Sequence, residues 1–152
     1  MRIPYIVQPA SPALTKIFSK KELFKPLITV VLRKGGKKRK LFALVDSGAD
    51  ACLFPPDVAE ILEIDVKSGE RADFVGIGST KTTFYFHEVE ILLGDYHVKT
   101  KVGFSTSTIG AGGVLGQQGF FENFVVSFDH KNCYVEIKKP GFLNGLTSKP
   151  SS

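Results

Sequence analysis

The chain has no tryptophan, only two cysteines and only three histidines. Cys52 and Cys133 lie 81 positions apart in 152 residues, a length that can bury a core without a disulfide framework, so reduced thiols are expected. His87, His97 and His130 are scattered, and no cysteine or histidine pair has the spacing of metal ligands. We therefore expect neither a metal nor a cofactor.

Long apolar runs are also missing. The longest stretch without a charged residue, 102–121, spans 20 residues, but twelve of them are Gly, Ser, Thr or Gln, which excludes a membrane-spanning helix there. Pro4, Pro9 and Pro12 interrupt the first residues, so no secretory segment is expected. These absences predict a cytoplasmic protein that does not enter a membrane.

Positive charge is concentrated in one place. Lys and Arg number 20 against 15 Asp and Glu, a net charge of +5, yet residues 33–40 alone carry six positive charges. Such a cluster would suit a basic β-module that binds nucleic acid. Nucleic acid is nevertheless the less favoured partner, because no aromatic residue interleaves the cluster and a solvated hairpin tip explains it.

Apolar segments separated by glycine turns predict an all-β protein, a barrel or sandwich with one or two short helices. We expect a single domain over 1–140, with its core in 27–138 and a flexible tail at 141–152. The predicted elements are hairpins at 27–45, 72–86 and 88–104, strands at 124–128 and 133–137, and a helix at 55–62.

The segment 44–50, Leu-Val-Asp-Ser-Gly-Ala-Asp, carries an apolar strand straight into a carboxylate and a tight turn. Alone, Asp-Ser-Gly is typical of an Asx-turn that ends a strand. Here apolar residues stand on both sides, at 42–45 and 51–54, which places Asp46 among buried strands. A carboxylate in that position needs partners or must take up a proton.

A weak internal repeat accompanies this segment. The hairpin 27–45 leads into Asp46, and a second hairpin, 87–104, leads after a loop into 113–116, Gly-Val-Leu-Gly. Each is followed by a possible helix. Chance similarity between two hairpins is the alternative.

With these elements in order, the sequence resembles the retroviral-type (retropepsin-like) aspartic proteases. Residues 43–51 resemble the catalytic loop, 74–79 the tip of the flap, and 114–116 the second apolar-apolar-Gly element. The resemblance covers about 27–138 and implies a closed, mostly antiparallel β barrel that acts as a homodimer.

The resemblance also implies a role for each matching residue. Asp46 is the expected catalytic group, one of two carboxylates that share a proton and activate a water for peptide hydrolysis. Ser47 and Gly48 would support the loop. Substrate-binding residues are expected at Ala49, Asp50, Gly76, Ile77, Gly78, Val114 and Leu115.

Only one Asp-Ser/Thr-Gly is present, so one chain cannot supply both carboxylates. A symmetric dimer would bring Asp46 of each chain to the two-fold axis. The expected partners are therefore a second copy and a peptide or protein substrate. Strand 133–137, with 2–7, is the expected intersubunit sheet.

The sequence departs from the family at one point. Viral members commonly carry an arginine after the second apolar-apolar-Gly element, whereas this chain has Gln117 and Gln118. A catalytically silent dimerisation or peptide-binding module therefore stays an alternative. Ser47 as a hydrolase nucleophile is excluded, because Val45 and Ala49 stand where Gly-x-Ser-x-Gly requires glycine.

Overall fold

The computed structural model describes residues 1–107, 110 and 112–141. The predicted tail, 141–152, lies outside the described residues except for its first position. The elements are β1 (Arg2–Pro4), β2 (Ile6–Pro9), α1 (Pro12–Phe18), β3 (Glu22–Lys25), β4 (Leu27–Lys34), β5 (Lys37–Val45), β6 (Leu53–Phe54), α2 (Pro56–Ile61), a 3-10 turn (Val66–Ser68), β7 (Glu70–Val75), β8 (Lys81–Leu93), β9 (Tyr96–Ser105), β10 (Gly113–Leu115), β11 (Val125–Asp129) and β12 (Tyr134–Lys138).

Six of these strands form a closed barrel. Their order is β4-β5-β10-β6-β9-β8, and β8 pairs back onto β4 through Leu32 opposite Ile91. Most pairs are antiparallel, while β10 runs parallel to β5 and β6 runs parallel to β9. Closure satisfies both edges of each strand within the ring. The predicted all-β, closed and mostly antiparallel fold is confirmed.

Alternating side chains fill the barrel. In β4 the buried positions are Ile28, Val30 and Leu32, and β8 buries every second residue from Val89 to Leu93. This period of two puts one face of each strand inside. Phe54 and Phe104 are fully buried between the strands, and burying each contributes about 1.5–3 kcal/mol of transfer free energy.

The three predicted hairpins are present, with one difference. The first is β4–β5, with Lys34 opposite Lys37 and Gly35 in the left-handed region at φ +56°. The second and third share β8, one continuous strand of 13 residues that pairs with β7 at its start and with β9 along its length. No turn residue interrupts β8, so one strand serves both hairpins. The short helix α2 matches the helix predicted at 55–62.

The N-terminal region contains structure that the sequence analysis did not predict. Strands β2 and β3 form a separate hairpin, and α1 connects them. The helix begins where Ser11 Oγ accepts the N–H of Leu14 at 3.2 Å, ends at Ser19 in the left-handed region, and buries none of its residues. No helix among the described residues is long and apolar enough to cross a bilayer.

The chain ends meet in a second small sheet, in the order β1-β12-β11. Arg2 lies opposite Glu136, and Tyr5 N–H donates to the Cys133 carbonyl at 2.8 Å. The segments expected to build an intersubunit sheet thus pair with each other within one chain. Their participation in a dimer stays a prediction.

The helix predicted after Gly116 is wrong. Residues 117–123 form successive turns, with Phe121 N–H donating to the Gly116 carbonyl at 3.2 Å. Gly119 lies in the left-handed region at φ +94°, and its N–H donates to Glu122 Oε1 at 2.7 Å. This conformation interrupts any regular helix.

Candidate active site

The loop that follows β5 holds Asp46 in a defined position. Its backbone N–H donates to the Leu115 carbonyl at 3.0 Å, and its carboxylate Oδ1 accepts the N–H of Gly48 at 2.9 Å. Ala49 N–H donates to the Asp46 carbonyl at 3.2 Å and closes the turn. The Asx-turn and the catalytic interpretation are therefore compatible. The Asp46 side chain is half-buried at the end of a buried strand.

Strand β10 forms the floor beneath this loop. It lies between β5 and β6, with Leu115 opposite Val45 and Val114 opposite Leu53. Beyond the strand, Gln117 N–H donates to the Ala49 carbonyl at 2.8 Å and Gln118 N–H to the Asp50 carbonyl at 2.9 Å. The loop is thus hydrogen-bonded along one side.

Gly116 is placed where only glycine fits. A Cβ added there would lie 2.3 Å from the Ala51 carbonyl oxygen and 2.6 Å from that of Ala49. Both oxygens belong to the backbone, so neither can move aside as a flexible side chain would. This close approach explains why the apolar-apolar element must end in glycine.

Cys52 joins the floor to the next strand. Its Sγ accepts the N–H of Gly116 at 3.4 Å and donates to the Gln118 carbonyl at 3.4 Å. The side chain is completely buried, and this burial raises the pKa of the thiol from 9.0 to about 11. Sequence reasoning did not assign Cys52 a role, because its partners lie 64 and 66 positions away.

We expect the Cys52 thiol to resist modification in the native protein. In a Cys133→Ser chain, a thiol reagent at pH 8 should label no cysteine until denaturant is added, because the protonated buried thiol is a poor nucleophile. Labelling followed by mass spectrometry checks this. Native labelling as fast as denatured labelling would contradict it.

The same raised pKa gives a stability trend with pH. The pKa of Cys52 in the folded chain lies above its ordinary value, so the protonated thiol stabilises the fold. That stabilisation is complete below pH 9 and is lost as pH rises towards 11. The loss should be about 2–3 kcal/mol. Denaturant unfolding of wild type against Cys52→Ser across this range measures it.

Gln117 fastens the loop from below. Its side-chain Nε2 donates to the Ser47 carbonyl at 3.0 Å, in addition to the backbone bond made by the same residue. Gln117 stands at the position in the sequence where viral members carry arginine. It positions the loop without adding a positive charge.

The β7–β8 hairpin carries the predicted flap tip. Gly76 N–H donates to the Thr80 carbonyl at 3.1 Å, and Ser79 N–H donates back to the Gly76 carbonyl at 3.2 Å. Gly78 has φ +90°, a value that L side chains rarely adopt. Ile77 at the tip is fully exposed, although its side chain is apolar.

A groove of about 360 Å³ separates this loop from the β7–β8 hairpin. Gly48, Ala49 and Asp50 line one wall with Leu53, and residues 74–76, 80, 82 and 84 line the other. The structure therefore brings the predicted Ala49, Asp50 and Gly76 together.

Four other predicted substrate-binding residues do not line this groove. Ile77 and Gly78 project from the flap tip into open space. Val114 is half-buried and lines a separate depression beside Leu44. Leu115 is completely buried, and its carbonyl accepts the Asp46 N–H, so it supports the loop. Its contact with substrate stays a prediction.

The basic hairpin is largely paired with acceptors. Arg33 bonds Glu90 through Nε at 2.9 Å, and this guanidinium lowers the pKa of that carboxyl. Lys34 Nζ donates to the Glu88 carbonyl at 2.7 Å, and Lys37 lies 3.4 Å from Glu63. Nucleic acid stays the less favoured partner that the sequence predicts.

Over residues 1–107, 110 and 112–141, no three His, Cys, Asp or Glu side chains cluster as metal ligands would.

Solved structures share this architecture. A retropepsin-like aspartic protease from Rickettsia conorii aligns with a TM-score of 0.54 and 14% identity, over 88% of this chain and 99% of that one. The chain has the retropepsin-like fold. EIAV protease complexed with the inhibitor HBY-793 aligns at TM-score 0.48 and 21% identity, over 61% of this chain and 82% of that one.

A third retropepsin-like structure is the retroviral protease-like domain of Ddi1 from Leishmania major, with TM-score 0.46 and 16% identity. That alignment covers 74% of this chain and 94% of the other. No protein-family model and no curated protein matches the sequence. At 14% identity the likeness to the Rickettsia structure establishes the retropepsin-like fold alone, so the chemistry must be argued from the residues of the loop.

Proposed function

We propose that this protein is a homodimeric aspartic endopeptidase, in which Asp46 of each chain contributes one catalytic carboxylate. The observation that carries the proposal is the hydrogen-bonded Asp46 turn, held over the β10 floor at the start of a loop that lines the groove. Such a carboxylate is placed by backbone hydrogen bonds within the chain itself. Preorganisation of this kind is what a general base requires.

The dyad would work without a covalent intermediate. Two carboxylates brought together cannot both be ionised, so the pair holds one proton. The ionised member takes a proton from a bound water as the water attacks the scissile carbonyl. The protonated member donates to the carbonyl oxygen, and proton return to the amine nitrogen releases the two peptides.

Two features support dimerisation: the number of Asp-Ser-Gly motifs in the chain and the exposure of the residues after Asp46. The chain has one Asp-Ser-Gly, so the second carboxylate must come from another copy. Ser47 and Gly48 are exposed in the single chain, directly after Asp46. A second copy that approached across this loop would cover both residues and bring the two Asp46 side chains together.

The groove suits an extended peptide. Among the strands that the structure describes, β7 ends the seven-stranded sheet and pairs with β8 alone. A peptide strand can hydrogen-bond to such a flap edge while its alternate side chains enter the groove. Closure of the flap over the peptide would exclude water from the dyad.

The cytoplasmic location stays part of this proposal. Cys52 and Cys133 are both free, as cysteines in a reducing compartment are.

Peptide cleavage by the wild-type chain and by Asp46→Asn tests the activity. We expect the wild type to cleave members of a proteome-derived peptide library between pH 4 and 7, and the variant to lose about 10³-fold or more of that rate. Asp95→Asn is the matched control, because Asp95 is an exposed carboxylate in the β8–β9 turn. Cleavage that survives Asp46→Asn would refute the proposal.

The silent module is the second candidate, and Gln117 is the observation that favours it. The loop is fastened through a neutral amide where viral members carry arginine. A loop held in this way could bind peptide without aligning the dyad. The absence of cleavage from the whole library, together with peptide binding that Asp46→Asn leaves unchanged, would establish this alternative.

A further inference from the structure

Asp50 is the second carboxylate of the loop, and its charge is not neutralised. Its backbone carbonyl accepts the N–H of Gln118, whereas its side chain is exposed. Within the described parts of the chain, no cation pairs with this carboxylate and no donor bonds to it. Gln117, which stands where viral members carry an arginine, uses its amide on the Ser47 carbonyl and carries no charge.

Asp50 is also the one charged residue among those that line the groove. The opposite wall presents Phe74, Thr82 and Phe84, which are apolar or neutral. A single full negative charge therefore faces a largely apolar surface.

The charged residues near the tip of the flap lie on its other face. Alternation along β7 places Arg71 and Asp73 away from Phe74. Asp73 lies 3.6 Å from Arg71 and 3.1 Å from Lys81, and it accepts a hydrogen bond from Thr83 at 2.7 Å. Both flap cations thus lie against Asp73, and neither is bonded to Asp50.

We infer that Asp50 selects a lysine or arginine side chain in the extended peptide that fills this groove. The inference rests on the proposed function, because it names the substrate class of that same site. A cationic head would form a charge-assisted hydrogen bond with the carboxylate, and its aliphatic stem would pack along Phe74 and Phe84. In a symmetric dimer the two copies of Asp50 would favour basic residues at two positions, one on each side of the cut.

Binding to a chain that cannot turn over tests this inference independently of catalysis. The probe is a set of acetylated, amidated decapeptide libraries in which one position is fixed as Lys, Arg, Gln or Glu. The remaining positions are an equal mixture of Ala, Val, Leu and Phe. Each library is equilibrated with the full Asp46→Asn chain, and retained peptides are counted by mass spectrometry.

We expect Lys and Arg to exceed Gln by about fivefold at one position or at a symmetric pair of positions. Adding Asp50→Asn to the same chain should remove that excess, while adding Asp95→Asn should preserve it. An excess that persists in the Asp50→Asn chain, equal retention of Lys, Gln and Glu, or no retention from any library would overturn the inference.

The outcomes separate this inference from the proposed function. Basic peptides retained through Asp50, with no cleavage by the wild type, would leave the inference standing and refute the peptidase. Wild-type cleavage without any preference for basic residues would support the peptidase and refute the inference about Asp50.

Discussion

Wild-type chains mixed with Asp46→Asn chains should lose peptide cleavage as the square of the wild-type fraction. Each working dyad needs one Asp46 from each of two chains, so a dimer with one variant chain has a single carboxylate and cannot hold a base and an acid at once. With equal amounts of the two chains, random pairing leaves about a quarter of the activity of the same total concentration of wild type.

Both chains must exchange freely for this experiment. They are therefore mixed in denaturant, refolded together and assayed at one total concentration across a series of fractions. The control series replaces Asp46→Asn with Asp95→Asn, whose exposed carboxylate lies in the β8–β9 turn, and should keep full activity throughout. A linear fall, with half the activity at equal amounts, would mean that each chain works alone and would refute the shared dyad.

Local signals account for the parts of the structure that the sequence predicts well. The β4–β5 hairpin follows from alternating apolar residues around Gly35 and Gly36, and each half can be read within a few positions. The turn at Asp46 is likewise local, because its Asx hydrogen bond reaches only to Gly48. Local sequence therefore predicts where the loop is and which carboxylate it presents.

The features that the sequence does not predict either lack a local sequence pattern or depend on residues far apart in the chain. Helix α1 buries no residue, so it has no apolar periodicity to reveal it, and its Ser11-Pro12 start was the available cue. The bond from Gln117 to Ser47 spans 70 positions, and nothing in the sequence around either residue indicates it. The burial of Leu115 is likewise decided by strands that are distant in sequence, so the apolar-apolar-Gly element alone does not reveal it.

Gly116→Ala, which adds one methyl group, should destabilise the fold strongly. The new Cβ would lie 2.3 Å from one backbone carbonyl oxygen and 2.6 Å from another, far inside van der Waals contact. Relief requires Ala49 and Ala51 to move, which breaks the hydrogen bonds that Gln117 and Gln118 make to the Asp46 loop. We expect a loss of about 3 kcal/mol or more in the free energy of unfolding.

Gly36→Ala is the matched control, because it adds the same methyl group in the β4–β5 turn with no atom within 4 Å and no left-handed backbone. Its change should stay within about 0.5 kcal/mol. Denaturant unfolding compares the two variants, and the cleavage assay should show activity lost only in Gly116→Ala. If Gly116→Ala unfolds like Gly36→Ala, the floor can yield to an added methyl group. Close backbone contact would then not be what holds Asp46 in place.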